Sequence, residues 1–483
     1  VAGASTLDGV GMTLNNMRVL VGTGESLRLV GSIENNSTIE LADLQSTGLN
    51  SSVLTYDGSS PTGTGEVVFK TANQNLVTSV GQTTLTSGQT IRTDGAIAGT
   101  RGQIQADMVN EGLIHADNGE IDLSSTDKAN RATMRASNGG TLRLSSIDVD
   151  NLGGQIAVDN SSTLEMSGAG ITGGSVTGTG SIEVISTASW DSVDVGMLTT
   201  RVGTGESLRL QGSIGHTGTI LLADLQTTGL NSSVVSVDAS GATLSGAGEI
   251  QFTTANQNQI GGTGTLELRN GHEIHALAGS SGQIRTQVVN RGIIRANGTI
   301  SLLDPALLDN TADGVITGDG TLDLNGTLNN NGTITAGNSP GSLFIDGSVD
   351  NSSSSTLLIE IDGSGGIGNR GSTYDFIDVS GSFDLAGTLA VDLLNFVPNF
   401  ADEYFILNAG SILGGVDDFL NVVGGIATLG FGTADVRIDN GTDLVLFNLQ
   451  LNQTNPVPAP GSFGLLLAGL IIASARRRRA SDN

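Results

Sequence analysis

The chain contains a long internal duplication, and this constrains its fold more than any other feature. Val21–Leu54 returns as Val202–Val235, at an offset of 181 residues, and only eight of the 34 aligned positions differ. The likeness continues downstream, where Asn110-Glu-Gly-Leu-Ile-His-Ala returns as Asn290-Arg-Gly-Ile-Ile-Arg-Ala. A unit copied in tandem is typical of repeat architectures, in which each unit buries its apolar surface against the next unit.

The differences between the two copies indicate which side chains face a core. The two copies keep the same apolar residues at alternate positions and differ in residue type at positions between them. This is the two-residue period of a strand with one buried face. The positions predicted to be buried are Leu27, Leu29, Ile39 and Leu41, with their counterparts Leu208, Leu210, Ile220 and Leu222. The positions predicted to face solvent are Arg28, Glu40 and Leu221.

Two short motifs recur inside the duplicated unit. The first, Gly-x-Gly-x followed by apolar-x-apolar, begins at Gly63, Gly178, Gly246, Gly262 and Gly318. The second, Asn-x-Gly before aliphatic residues, begins at Asn110, Asn290 and Asn330. Gly and Asn tolerate the left-handed conformation of tight turns, so short strands with a turn about every ten residues predict the stacked coils of a parallel β-solenoid. A phosphate-binding glycine loop would need a helix after it, and none is predicted here.

Composition excludes several classes of function. The net charge is −27, which argues against a nucleic-acid partner, and the absence of cysteine rules out disulfides, thiolate metal sites and a cysteine nucleophile. Aromatic residues make up only 3% of the chain, and four of the 16 precede residue 338, so a solenoid that binds sugars by stacking is not favoured.

The end of the chain has a different character. Asn455–Pro460 is rich in proline and is predicted to be extended, because proline restricts its own backbone and that of the residue before it. Ser462–Ala475 is an uncharged, mostly apolar run that would span about 21 Å as a helix, short of a hydrocarbon core of about 30 Å. Arg476, Arg477, Arg478 and Arg479 follow directly and are expected to remain in the cytoplasm, which leaves the body of the protein outside. A permanent membrane anchor and a buried core helix are the alternatives for this run.

This three-part order resembles the PEP-CTERM sorting signal, over about the last 25 residues. The processing motif is Val457-Pro458-Ala459-Pro460, in which Ala459 replaces the glutamate that is usual in the family. The resemblance implies an exported protein of a Gram-negative bacterium that is held transiently in the inner membrane and handled by an exosortase-type processing enzyme. It also implies a place at the cell surface or in a biofilm matrix, with exopolysaccharide as a further partner.

A second resemblance concerns the region before the tail. Gly337-Asn-Ser-Pro-Gly-Ser-Leu343 and Tyr374-Asp-Phe-Ile-Asp-Val-Ser-Gly381 look like the end region of autotransporter or adhesin-like passenger proteins, in which this segment continues or caps the solenoid. Twelve of the 16 aromatic residues also lie after residue 338, so this region is expected to pack differently from the repeats.

Together these features predict an all-β chain that forms a right-handed parallel β-helix, a pectin-lyase-like β-solenoid. The repeats are expected over 1–338, with the duplicated unit at about 21–124 and 202–302, and a C-terminal β cap over 339–450. A Pro-containing linker at 451–461 and a short transmembrane helix with its arginine cluster at 462–483 complete the prediction. Val1 follows no secretion signal, so we expect the natural chain to begin earlier.

Candidate chemistry is sparse. The carboxylate pairs Asp148 with Asp150 and Asp417 with Asp418 could in principle support glycoside hydrolysis, but 48 acidic residues make such pairs common. His272 and His275 lack the zinc-protease spacing, and on a strand they would point to opposite faces. His115 and His216 are each replaced in the other copy, which predicts positions facing solvent. We therefore predict a structural or adhesive surface protein that is not an enzyme, with no catalytic residue, cofactor or metal site. A polysaccharide lyase or hydrolase and an ice-binding solenoid are the alternatives.

Overall fold

The computed structural model describes residues 1–43, 51–73, 75–223, 232–256, 258–269, 271–337 and 339–451. The sorting motif at Val457–Pro460, the apolar run and the arginine cluster lie outside these residues. Within them the chain is an all-β parallel β-solenoid of about 15 turns with 2% helix, which confirms that part of the predicted fold. The helical content of the described part is short 3₁₀ turns, and none offers an apolar stretch long enough to cross a bilayer.

The strands are short and follow one another closely. In chain order the first are β1 (Ala4–Asp8), β2 (Met12–Gly22), β3 (Ser26–Val30), β4 (Ile33–Ala42), β5 (Ser52–Asp57), β6 (Glu66–Phe69), β7 (Asn75–Val80), β8 (Thr83–Leu85), β9 (Thr90–Thr93), β10 (Arg101–Ile104), β11 (Met108–Asn110), β12 (Leu113–Asp117), β13 (Glu120–Ser124), β14 (Lys128–Asn130), β15 (Thr133–Ser137), β16 (Thr141–Ser145), β17 (Asp148–Asp150) and β18 (Gln155–Val158).

The next strands lead into the second copy of the duplicated unit and run through it. They are β19 (Thr163–Ser167), β20 (Ala169–Thr172), β21 (Ser175–Gly178), β22 (Ser181–Val184), β23 (Thr187–Asp191), β24 (Asp194–Val195), β25 (Thr199–Gly203), β26 (Ser207–His216), β27 (Thr219–Ala223), β28 (Ser233–Ser245), β29 (Glu249–Phe252), β30 (Asn258–Gly262), β31 (Leu266–Leu268), β32 (Glu273–Ala276), β33 (Ser281–Ile284), β34 (Val288–Asn290), β35 (Ile293–Ala296) and β36 (Thr299–Leu302).

The remaining strands lie further towards the C-terminus, with 3₁₀ turns at Pro305–Leu307, Ile367–Asn369 and Val416–Asp418. They are β37 (Leu308–Asn310), β38 (Val315–Thr317), β39 (Thr321–Asn330), β40 (Thr333–Thr335), β41 (Ser342–Asn351), β42 (Thr356–Ile361), β43 (Phe376–Asp384), β44 (Thr388–Leu393), β45 (Glu403–Leu413), β46 (Val422–Val423), β47 (Ile426–Leu429), β48 (Gly432–Asp439) and β49 (Asp443–Leu451).

The chain divides into two compact units. The first is Val1–Asn290 with Asn297–Leu308, and the second is Arg291–Ala296 with the chain from Asp309. In the first unit each coil adds one strand segment to each of three parallel ladders. The first ladder runs β1–β3–β5–β7–β10–β13–β16–β19–β22–β25–β27–β29–β32, and the other two include β11–β14–β17–β20–β23–β26 and β9–β12–β15–β18–β21–β24–β26.

The second unit also begins with parallel pairing and then changes. β38–β40–β42–β44 and β39–β41–β43–β45 are parallel ladders, so stacking continues past residue 338. β45, β49, β48 and β47 then pair in antiparallel fashion.

Aliphatic side chains stack in register from one coil to the next and form the core. Ile121, Leu142, Leu164 and Ile182 are successive register partners, and each is fully buried. Each such side chain contributes about 1.5–3 kcal/mol of transfer free energy. The eight leucine and isoleucine positions predicted to be buried are all at most 1% exposed, which confirms the two-residue period.

Equivalent strands of the two copies lie on different ladders. Leu27 and Leu29 belong to β3 in the first ladder, whereas Leu208 and Leu210 belong to β26, which pairs with β23 and β28. The length of a coil varies, with 18 residues between the register partners Thr163 and Ser181. The duplicated unit is therefore not a whole number of coils, and equivalent side chains face different directions.

Two of the predicted exposed positions are wrong. Arg28 is exposed as expected, but Glu40 is only 8% exposed and pairs with Arg18 of the neighbouring coil. Leu221 is half-buried, because its register partners Arg201 and Gln251 flank it on both sides. An outward-facing side chain in the middle of a stack is covered by its neighbours above and below.

The Asn-x-Gly motif marks stacked asparagines inside the coils. In the first unit the side-chain amide Nδ2 of Asn110 donates to Asn130 Oδ1 at 2.7 Å, and Asn130 Nδ2 donates to Asn151 Oδ1 at 2.7 Å. In the second unit Asn310, Asn330 and Asn351 form the same chain at 2.6 and 2.8 Å. Five of these six side chains are at most 1% exposed and Asn351 is 8% exposed, so the bonds satisfy amides that would otherwise be costly to bury.

Removing the middle asparagine tests this stack. We expect Asn130→Ala to lower the free energy of unfolding by about 2–4 kcal/mol, because it leaves Asn151 Oδ1 without its donor and opens a cavity. The control is Gln155→Ala at an exposed position of β18. This change should alter the free energy of unfolding by less than about 0.5 kcal/mol. Denaturant unfolding followed by circular dichroism measures both, and equal effects would contradict the assigned role of the stack.

Candidate functional site

A cluster of two glutamates and a histidine lies on adjacent strands of the first unit. Glu249 begins β29, and Glu273 and His275 lie on β32, which pairs with β29 in parallel. The register places Glu249 beside Glu273, and His275 points to the same side as Glu273 because the two residues are separated by two positions. One potential ligand atom from each of the three side chains lies within 4.8 Å of the other two.

The imidazole of His275 is the centre of this cluster. Its Nδ1 lies 3.6 Å from a carboxylate oxygen of Glu249 and 3.6 Å from one of Glu273. The side chain is 7% exposed, and Nδ1 has no hydrogen-bond partner among the residues that the structure describes. The other ring nitrogen, Nε2, lies 3.2 Å from the side-chain amide of Asn297.

A pair of histidines is also buried in the first unit. His216 Nδ1 and His272 Nε2 are hydrogen-bonded at 3.0 Å, and both residues are completely buried. Trp190 lies on the other side of His216, with ring centroids 6.1 Å apart. Burial lowers the pKa of His216 to about 4 and that of His272 to about 3, so both rings are neutral at pH 7. One ring nitrogen therefore donates and the other accepts.

The Gly-x-Gly motif makes room for this pair. Gly246 has a φ of 97°, which favours glycine, and a Cβ on Gly248 would lie 2.4 Å from His216 Nδ1. In the first copy Gly63 has a φ of 93°, and a Cβ on Gly65 would lie 2.3 Å from Asn35 Nδ2. The second glycine of the motif is thus required where a buried polar side chain packs against the backbone.

The first copy carries different side chains at the equivalent positions. Asn35 and Gln89 occupy the places of His216 and His272, and Asn35 Nδ2 donates to Gln89 Oε1 at 3.1 Å. The pair has therefore changed at both ends from amides to imidazoles while its hydrogen bond was kept.

The glutamate cluster has changed in the same coordinated way. Glu66 and Arg92 stand in the places of Glu249 and His275, and the Arg92 guanidinium donates to Glu66 at 2.7 and 3.1 Å. The Arg92 bond lowers the pKa of the Glu66 carboxyl. Thr90 stands in the place of Glu273. The second copy therefore has an imidazole and an added carboxylate where the first has an ion pair.

The carboxylate pairs considered for catalysis take part in local contacts. Asp148 and Asp150 are exposed on β17, and Asp150 pairs with Arg131, which lowers the pKa of the Asp150 carboxyl. In the second unit Asp417 Oδ1 accepts from the backbone N–H of Gly425, and Asp418 Oδ2 accepts from that of Gly415, each at 2.8 Å.

The two motifs that resemble passenger proteins meet at Asp375. This carboxylate is completely buried and accepts from the backbone N–H groups of Gly341 and Glu360, each at 2.9 Å. Burial raises the pKa of Asp375 to about 8. Asp375 thus ties Gly341, just before β41, to Glu360 of β42, which is a structural role.

The chain matches no protein-family model, and no curated protein is detectably similar to it in sequence.

Sequence reasoning misjudged the histidines. His216 was predicted to face solvent and is fully buried, because its replacement by Asn35 is an exchange of one buried hydrogen-bonding group for another. His115 is half-buried and bonds Ser137 at 2.7 Å. The signal that could have found the cluster is the paired change in the duplication, in which residues that touch from different coils differ together.

A double-mutant cycle tests the coupling of the buried histidines. We expect His216→Asn and His272→Gln each to lower the free energy of unfolding by about 1–3 kcal/mol, because each leaves an unmatched buried group. The double variant carries the amide pair of the first copy. Its loss of free energy of unfolding should therefore be smaller than the sum of the two single losses by about 0.5–3 kcal/mol. The exposed Thr217→Ala is the control, and strictly additive costs would contradict the pairing.

Proposed function

We propose that the protein is an exported structural component of a bacterial cell surface or biofilm matrix, with an adhesive role. In this proposal the solenoid is right-handed and pectin-lyase-like, and Ser462–Ala475 forms a short membrane helix that is removed during export. The tail motif Val457–Pro460 is the site handled by an exosortase-type enzyme, and Arg476–Arg479 orient the helix.

The observation that supports a structural role is how the described charged side chains are used. Many pair with the next coil rather than converge on a groove. Such pairs are Arg28–Asp57, Lys70–Asp94, Arg92–Glu66, Arg101–Glu120, Arg131–Asp150, Arg135–Asp159, Arg143–Glu165 and Arg209–Asp238. Exposed pairs of this kind contribute little singly, but they line the surface with charges held in register along the stack.

The acidity of the chain supports an extracellular matrix role in a second way. A net charge of −27 keeps such a protein soluble and prevents close packing with copies of itself. Exopolysaccharide is the partner class that we propose, and divalent cations would bridge the protein to acidic polysaccharides.

Processing of the tail tests the proposed route. In the native host we expect protein recovered from the surface or medium to lack the C-terminal residues Ala480–Asn483, because a helix of about 21 Å is poorly matched to a membrane of about 30 Å. Replacing Pro458 and Pro460 by alanine should block release of the protein from the membrane. Replacing Arg476–Arg479 by serine should make the orientation of the tail helix in the membrane less uniform. Mass spectrometry of the intact protein shows whether the C-terminal residues are still present.

The control for this experiment is a double variant outside the tail, Asp148→Ala with Asp150→Ala, which should be released like the unaltered protein. Persistence of the intact C-terminus on released protein would overturn the sorting proposal and favour a permanent anchor.

The same double variant tests the absence of catalysis. We expect the unaltered protein to release neither reducing ends nor unsaturated sugars from acidic polysaccharides. Turnover that is lost in the Asp148→Ala, Asp150→Ala variant would instead support the lyase or hydrolase alternative.

A further inference from the structure

We propose that Glu249, Glu273 and His275 bind one divalent transition-metal ion, with Zn²⁺ as the probe, and that this ion clamps β29 to β32. The proposal is independent of the export route and of the matrix role. It concerns three side chains brought together by the register of two adjacent coils.

The separations within the cluster fit a shared metal better than a hydrogen bond. A distance of 3.6 Å from His275 Nδ1 to each carboxylate oxygen is too long for a hydrogen bond. Ligand atoms about 2.0–2.1 Å from a tetrahedral Zn²⁺ are about 3.3 Å from one another. The distances from His275 Nδ1 to the two carboxylates therefore need to shorten by only a few tenths of an ångström, and the ligand atoms of the two carboxylates already lie within 4.8 Å of each other.

The buried imidazole provides an independent indication of a ligand. His275 Nδ1 is shielded from solvent and has no hydrogen-bond partner in the described part of the chain, although it faces two carboxylates. A buried polar atom without a partner is uncommon and calls for an explanation such as a bound ion.

Asn297 can hold the ring in the orientation that metal binding requires. Histidines that bind metals usually donate their other ring N–H to an acceptor. Nε2 of His275 lies 3.2 Å from the Asn297 side-chain amide, and a rotation of that amide presents its oxygen as the acceptor.

The first copy shows what the same coil contact looks like without an imidazole. There Arg92 supplies a permanent positive charge to Glu66. A different ion pair, Arg28 with Asp57, is retained in the second copy as Arg209 with Asp238. The duplication thus kept one pair and converted the other into a set of one imidazole and two carboxylates, which are side chains able to ligate a metal ion.

The mixture of ligands selects the class of ion. An imidazole with carboxylates suits Zn²⁺ and related transition-metal ions, whereas Ca²⁺ and Mg²⁺ prefer oxygen ligands alone. Because the ligands come from two coils, binding should stabilise their contact, and the stabilisation should grow with the logarithm of the free-metal concentration above the dissociation constant.

The matched variant is Glu273→Thr with His275→Arg, which restores the residues of the first copy. Isothermal titration of the full chain with Zn²⁺, in excess Mg²⁺ to occupy non-specific acidic sites, should give one site per unaltered chain. The variant should weaken this binding by at least about 100-fold, since even outer-shell changes cost 10–100-fold. His115→Gln, which alters a histidine outside the cluster, should bind Zn²⁺ like the unaltered protein.

Thermal unfolding with and without Zn²⁺ gives a second readout. The ion should raise the melting temperature of the unaltered protein and leave that of the variant unchanged. Equal binding by both proteins, or no stoichiometric binding by the unaltered chain, would overturn the proposal. If the double variant does not fold, His275→Gln alone serves the same comparison, and retained binding there would equally overturn it.

Discussion

In-register stacking of each coil on the next is the constraint on which the rest of the structure depends. A single coil has too little apolar surface to form a core, so its inward aliphatic side chains are buried by their counterparts above and below. The column of Ile121, Leu142, Leu164 and Ile182 shows this directly. The same geometry stacks polar groups, and asparagines then bond asparagines and arginines meet acids of the next coil.

Stacking also explains what the sequence could and could not predict. Inward aliphatic positions were recognised because both copies keep an apolar residue there, and Leu29 and Leu210 are completely buried. Outward positions were harder, since the burial of Glu40 depends on Arg18 in a neighbouring coil and therefore on register. The Asn-x-Gly motif was interpreted as a turn. The spacing of 20 and 21 residues between the stacked asparagines does not show that their side chains face inward.

The candidate site shows how a duplicated solenoid can acquire new chemistry. A copied contact begins as a structural element, such as the ion pair of Glu66 and Arg92 or the amide pair of Asn35 and Gln89. The partners of such a contact lie in different coils. In the second copy both amides are replaced by imidazoles, and Thr90 and Arg92 are replaced by Glu273 and His275 beside a glutamate that is kept. The histidine and glutamate cluster of the second copy arises in this way on a different ladder, without alteration of the backbone register.

The most direct test of this account measures the proximity of register partners. The chain contains no cysteine, so only introduced cysteines can react. Thr55 and Thr78 are partners whose hydroxyls lie 2.9 Å apart, whereas Arg28 and Thr78 are two coils apart, at about 9–10 Å. Cysteines introduced at 55 and 78 should be bridged by dibromobimane, which fluoresces strongly only when both arms have reacted. Cysteines at 28 and 78 should not be bridged. Bridging between positions 28 and 78, or a lack of bridging between positions 55 and 78, would contradict the parallel stack.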